Sequence, residues 1–155
     1  MNDQFLNENA QIFKSSLVNL CSNLHYLCKD VAQSHGISLK LANLLEIIYE
    51  QDGITLNNLC RKIDEDKGNL SRLVNDLMKD SYVIKKQSER DKRIYYIYIT
   101  EYGKEAILNL KQVCIHNMDS LLSILSEEEQ NHFIKALTKL DNHVYDLTIK
   151  KIGDD

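Results

Sequence analysis

Proline is absent from this chain of 155 residues, and glycine occurs only five times. Proline normally makes up about 5% of a protein. This scarcity disfavours a turn-rich β-sandwich or barrel and favours long uninterrupted helices. No apolar run approaches the roughly 20 residues that a membrane-spanning helix needs. The opening residues, Met1-Asn2-Asp3-Gln4-Phe5, show no basic region followed by an apolar stretch, so no signal peptide is expected. The expectation is a cytoplasmic protein with no membrane partner. Its four cysteines then read as reduced thiols rather than a disulfide framework. The chain also lacks a P-loop, G-x-G-x-x-G, G-x-S-x-G or H-E-x-x-H pattern, and no paired acid/base grouping stands out. Neither an enzyme nor a cofactor is expected.

What is present bounds the rest. Apolar residues make up 43%, which supplies a real core and excludes wholesale disorder. The length fits one structural domain. Lys and Arg number 19 against 23 Asp and Glu, a formal net charge of -4, which by itself argues against a nucleic-acid partner. A field is local, however, whereas a net charge is a sum. Residues 61–93 carry ten Lys and Arg against seven Asp and Glu, a net of +3, and the remainder of the chain carries -7.

The N-terminal third reads as one long helix. Leu6, Ala10, Phe13, Leu17, Leu20, Leu24, Leu27 and Val31 are spaced alternately four and three apart, a heptad seam ended by Gly36. So long and narrow a stripe suggests packing against another helix, either within the chain or from a second copy. Ser38 can cap a second helix carrying Leu41, Leu44, Leu45 and Ile48, which Gly53 stops. Thr55 caps a short helix with Leu56, Leu59, Cys60 and Ile63. After the acidic stretch Asp64-Glu65-Asp66, Asp66 caps a helix from about Lys67 to Lys79 that buries Leu70, Leu73, Val74 and Leu77.

The period then falls from 3.6 to 2. A strand begins at Tyr82, a polar loop spans Ser88 to Lys92, and a β-branched and aromatic strand returns over 93–99. Thr100 caps a helix with Ala106, Ile107, Leu110, Val113 and Cys114. Ser126 and Glu129 form a capping box that starts a last helix. That helix carries a second seam: Phe133, Leu137, Leu140, Val144 and Leu147.

Two short helices followed by a hairpin make a winged helix-turn-helix, whose second helix enters the major groove of double-stranded DNA. The fold class expected is mainly α with a small β-hairpin wing. Residues 37–102 form the DNA-binding region, and 1–36 with 103–155 form a helical dimerisation region. The polar face of the reading helix carries Lys67, Gly68, Asn69, Ser71 and Arg72. Arg can read guanine and Asn adenine, each with two hydrogen bonds, while Lys67 and Ser71 suit phosphates or either kind of edge. Gly68 lets the backbone come close to DNA. The wing carries Lys85, Lys86, Arg90, Lys92 and Arg93 against Glu89 and Asp91, and cations there can reach a minor groove. The rival reading is a winged-helix or helical dimer that contacts protein and never DNA, and the basic wing argues against it.

Asp91-Lys92-Arg93, five residues, then Ile99-Thr100 and Gly103 match the D-x-R-x5-L/I-T-x-x-G wing signature of the MarR family of bacterial transcriptional regulators. Residues 54–63 resemble that family's first DNA-reading helix, 66–74 its recognition helix, and Leu125-Ser126-Glu127-Glu128-Glu129 the start of its last helix. The resemblance implies a homodimer interlocked through its first, fifth and sixth helices, with two heads on an inverted-repeat operator. It places Arg93 in the minor groove with Asp91 orienting the wing, and Lys67, Asn69, Ser71 and Arg72 on recognition positions. The family commonly has Ser at position 66, and Ser or Pro with Thr at 68 and 69, where this chain has Asp66, Gly68 and Asn69. These departures bear on the base sequence read and not on the fold.

The mode of action that follows is repression, relieved by a small ligand or an oxidant. Relatives bind small aromatic or apolar effectors in the cleft between dimer helices and head, and some sense hydroperoxides through a cysteine early in the first helix. Cys21 and Cys28 are the candidates for such a redox switch here. They lie about 10.5 Å apart along one helix, too far to bond to each other, so a bond between subunits is the route left open. No metal site is expected. No His-x3-His pair occurs, and Asn43 stands where a zinc-sensing branch of the family has histidine.

Overall fold

The computed structural model describes residues 2–63 and 65–153, with side chains described for 8–63 and 65–147. Asp64 and the side chain of Leu6, both used in the sequence reading, lie outside the described residues. The elements run α1 (Asn2–Ser34), α2 (Leu39–Glu50), β1 (Ile54–Thr55), α3 (Leu56–Ile63), α4 (Lys67–Lys79), β2 (Val83–Gln87), β3 (Tyr95–Ile99), α5 (Glu101–Leu122) and α6 (Glu127–Gly153). This is the expected mainly helical fold with a wing. By contacts the chain forms two compact units, 1–114 and 115–155.

The helix boundaries follow the capping chemistry. Gly36 and Gly53 both take left-handed φ, +74° and +83°, which a residue with a Cβ adopts only at a cost. Ser38 Oγ accepts from the Leu41 N–H at 3.3 Å, Thr55 Oγ1 from the Asn58 N–H at 3.4 Å, and Asp66 Oδ1 from the Asn69 N–H at 2.9 Å. In the second unit, Glu129 Oε2 accepts from the Ser126 N–H at 2.8 Å, while Ser126 Oγ accepts from the Glu129 N–H at 3.4 Å. These two bonds close the capping box. The Ser126 hydroxyl also donates to Glu129 Oε2 at 2.7 Å, and this bond, then that from the Ser126 N–H, holds the Glu129 carboxyl below the ordinary carboxylate range.

The sheet has three strands rather than the two of a bare hairpin. Its order is β1-β3-β2, all antiparallel. β1 pairs Ile54 with Ile97 and Thr55 with Tyr96. Two residues are too few to show a period of 2, so the sequence pattern does not reveal this strand. Its effect is to tie the start of α3 to the wing.

The core belongs to the first unit. Leu44, Leu45 and Ile48 of α2 meet Leu59 of α3, Leu70, Leu73, Val74 and Leu77 of α4, and Ile54, Val83, Ile97 and Ile99 of the sheet. Val31 and Ala32 at the end of α1, and Ile107 and Leu110 in α5, complete it. Cys60 and Cys114, read as core positions, are half-buried against that cluster. An ion pair from Lys111 to Glu46, at 2.7 Å, joins α5 to α2.

The two seams have a different fate. Along α1, Phe13, Leu17 and Leu20 are exposed, as are Phe133, Leu137, Leu140, Val144 and Leu147 along α6. Leu24 and Leu27 are half-buried, and among the described residues of the first seam only Val31 reaches the core.

Candidate nucleic-acid interface

Asp66 starts α4 by capping it, and it holds extended backbone with φ -65° and ψ 148°. Gly68 leaves room for that cap, because a Cβ there would sit 3.1 Å from Asp66 Oδ1. Replacing Asp66 by alanine should cost about 1 kcal/mol, seen as a lower midpoint in chemical denaturation. The buried face of α4 is Leu70, Leu73, Val74 and Leu77, as the spacing predicts. The opposite face therefore carries the polar set. Lys67 and Arg72 are exposed, and Asn69 and Ser71 are half-buried.

The wing tip is tied down by its own polar groups. Asp91 Oδ1 accepts from the Arg93 N–H at 2.9 Å, and Ser88 Oγ accepts from the Asp91 N–H at 3.3 Å. Gln87 Nε2 donates to the Lys92 carbonyl at 2.7 Å and to Tyr95 Oη at 3.2 Å. Arg90, Asp91, Lys92 and Arg93 are all exposed. Asp91 is thus bonded to the backbone of Arg93.

Between helix and wing lies a groove of about 310 Å³. Lys67 of α4, Lys85 of β2 and Arg93 of the wing line it, together with Thr55, Asn57 and Tyr95. Three cations from three elements thus converge on one concave surface, the charge that a phosphate backbone neutralises. Lys85 Nζ is steadied by Asn75 Oδ1 at 3.1 Å, and Lys86 sits 5.0 Å over the Tyr98 ring. The sequence marks Thr55 only as a helix cap and Asn57 not at all, since their place in the groove follows from β1 pairing with β3.

A second hydrogen-bonded chain lies at the base of α4. Glu65 accepts from Lys40 of α2 and from the side-chain amide of Asn69. Asn69 Oδ1 in turn accepts from Arg72 Nη2 at 2.8 Å. The bond from Lys40, then that from Asn69, hold the Glu65 carboxyl below the ordinary carboxylate range. No sequence signal pairs Lys40 with Glu65, which is 25 residues away.

Of the candidate redox residues, Cys21 is exposed and Cys28 half-buried. Burial pushes the Cys114 thiol up, and the nearby Cys28 adds to the effect. Among the described residues no group of three or more His, Cys, Asp or Glu is placed to hold a metal ion. None of the described helices is long and apolar enough to cross a membrane.

A helical pair, a three-stranded wing and a cationic groove between them define a winged helix-turn-helix protein. The MarR family model matches residues 37–95. The chain is 29% identical over 113 residues to the HTH-type transcriptional regulator BilQ of Clostridium symbiosum, covering 73% of this chain and 78% of BilQ. In fold it is similar to a MarR family protein from Bacillus stearothermophilus, with a TM-score of 0.80, 19% identity, and coverage of 94% of this chain and 99% of the other. It is also similar to FabT of Streptococcus pneumoniae, solved in complex with DNA, with a TM-score of 0.76, 21% identity and coverage of 89% and 99%. Residues 37–95, the winged helix-turn-helix segment, are of MarR type. The protein is a transcriptional regulator of that type and not an enzyme.

Proposed function

We propose that the protein is a cytoplasmic repressor that binds an inverted-repeat DNA operator as a homodimer. The observation that carries this reading is the groove in which Lys67, Lys85 and Arg93 converge. Lys67, Asn69, Ser71 and Arg72 address the major groove. Arg90, Lys92 and Arg93, with Asp91 fixing the tip, address the adjacent minor groove. The DNA-bound FabT structure supports the same use of this fold. Two identical heads related by a two-fold axis read half-sites about one helical turn apart.

Residues 1–36 and 103–155 supply the dimer contact. The exposed seams of α1 and α6 support this, since each is a regular apolar stripe on a long helix, of the kind that coiled partners bury. Of the acid surplus outside residues 61–93, -4 falls on this region and -3 on the rest of residues 37–102, so the head as a whole is neutral and its positive field is local to the reading helix and wing.

Release follows from an effector that binds one spacing of the heads better than the other. A cleft of about 220 Å³, lined by His35, Ile37, Tyr82, Tyr102, Glu105 and Asn109 among others, supports a small aromatic or apolar ligand. For scale, an apolar cavity of about 150 Å³ accommodates benzene. The Tyr82 and Tyr102 rings stack at 5.2 Å and form one wall. Oxidation of Cys21 or Cys28 is the alternative trigger, and the exposure of Cys21 favours it as the first site of attack.

Selection of bound duplexes from random sequence, followed by sedimentation of protein with the enriched DNA, tests the reading. The expected outcome is an inverted repeat bound by two chains, with affinity falling as salt rises. Failure to enrich any sequence, together with no retention on heparin at low salt, would overturn it.

A further inference from the structure

Asn69 is the residue on the reading helix that pairs naturally with adenine. To do so it must present its amide N–H and its carbonyl oxygen together. In this structure one of its two amide N–H groups and one lone pair of its oxygen are engaged, which fixes the turn of the amide plane. Nδ2 donates to Glu65, and Oδ1 accepts from Arg72 at 2.8 Å. Each partner is charged, and charge-assisted bonds are roughly twice as strong as neutral ones. Glu65 is itself fixed by Lys40, from the second residue of α2, and Asn69 is fixed through its backbone by Asp66. Arg72 is in the opposite situation. It is exposed, spends one Nη2 contact on Asn69, and has the other N–H groups of its fork available to a base edge.

We propose that Asn69 does not read a base but, held by Glu65, positions the Arg72 guanidinium for guanine, which makes Glu65 a specificity-determining residue. The inference rests on the DNA-reading role proposed above. The chain Lys40–Glu65–Asn69–Arg72 runs from α2 to the base-reading face, and each link restricts the next. Glu65 fixes which way the Asn69 amide is turned, and the amide oxygen fixes one end of the guanidinium fork. A negative charge so near DNA is otherwise a liability, since it repels phosphate, and positioning accounts for it.

The test uses the full-length protein and the operator obtained by selection. Arg72→Ala first identifies the guanine that loses its preference. For each variant, the ratio of affinities for the operator and for its guanine-to-adenine derivative at that position is then measured. A ratio is used because removing the Glu65 charge raises affinity for all sequences alike and cancels. Glu65→Ala and Asn69→Ala should each lower the ratio about tenfold, part of what a bidentate arginine contact supplies. The double variant should lower it no further than either alone, because the two residues act in series. Glu65→Gln keeps an acceptor for Asn69 Nδ2 and should retain the ratio, which a loss due to general destabilisation would not do. The proposal is overturned if Asn69→Ala relaxes the preference at a separate adenine, or if Glu65→Ala leaves the ratio unchanged. If the unaltered protein enriches no DNA sequence, the DNA-reading role itself falls and this inference falls with it.

Discussion

Replacing Arg93 by alanine is expected to weaken operator binding about 100-fold at 0.15 M salt. At the wing tip Arg93 is exposed, but its backbone is not free. Its N–H is held by Asp91 Oδ1 at 2.9 Å, the Asp91 N–H is held by Ser88 Oγ, and the neighbouring Lys92 carbonyl is held by Gln87. Ser88 is buried and anchors this arrangement. The guanidinium therefore projects from a prepared base and gives up less freedom on binding than an arginine on a loose loop. Arg inserted in a narrow minor groove meets an enhanced negative potential. A contribution of about 1.5 kcal/mol per contact is ordinary for a specific arginine contact. In a symmetric dimer it counts twice, and about 3 kcal/mol is about 100-fold in Kd. Fluorescence anisotropy on the selected operator measures it. Glu89→Ala serves as a control on the same loop and should not weaken binding. An unchanged Kd for Arg93→Ala would show that the wing stays off the DNA.

Replacing Gly103 by alanine is expected to destabilise the fold by about 3 kcal/mol or more, beyond the usual cost of overpacking. A Cβ at Gly103 would lie 2.2 Å from the Tyr82 carbonyl oxygen and 2.9 Å from Ile99 Cγ1. The first obstacle is backbone, and it is held in place. The same carbonyl accepts from the Thr100 N–H at 3.0 Å and from Thr100 Oγ1 at 3.1 Å. Relief would require moving α5 away from the start of β2, and with it Ile107 and Leu110 from the core. Thermal melting should show a drop of roughly 2–4 °C per kcal/mol for a chain of this size. A melting temperature unchanged in Gly103→Ala would mean that the first turn of α5 is free to shift.

These two positions explain why the wing signature has the form it does. Asp91 caps the backbone of Arg93, and Arg93 supplies the projecting cation. Thr100 performs two tasks with one hydroxyl. Its Oγ1 accepts from the Gly103 N–H at 2.9 Å to start α5, and it donates toward the Ser81 carbonyl at 2.7 Å to join α5 to the turn before β2. Gly103 lets that junction close. The signature thus records one mechanical unit, from the wing tip to the helix that follows.

Much of the fold was legible because it is local. The caps at Ser38, Thr55, Asp66, Thr100 and Ser126 each lie within three residues of the groups they satisfy. The period of 3.6 over α4 predicted its four buried residues, since the same spacing that defines a helix face also defines which face the core covers. The recognition face followed as the complement of that set. The seams on α1 and α6 were legible as stripes, but spacing is blind to what covers a stripe. Only the tertiary structure left Phe13, Leu17, Phe133 and Leu137 exposed while enclosing Val31, Ile107 and Leu110.

The sequence by itself determined the order and type of all but one element, the capped starts of α2 to α6, and the identity of the cations at the wing and reading helix. Tertiary structure decided three other things. It added β1, a strand too short for its period to be seen, and so brought Thr55 and Asn57 into the groove. It set Lys40 against Glu65 and thereby joined α2 to Arg72. It also pressed Gly103 against the Tyr82 carbonyl. The reason is common to all three. Periodicity and capping act within a turn or a pair of strands, whereas these contacts depend on how separate elements cross, and no spacing along the chain encodes a crossing.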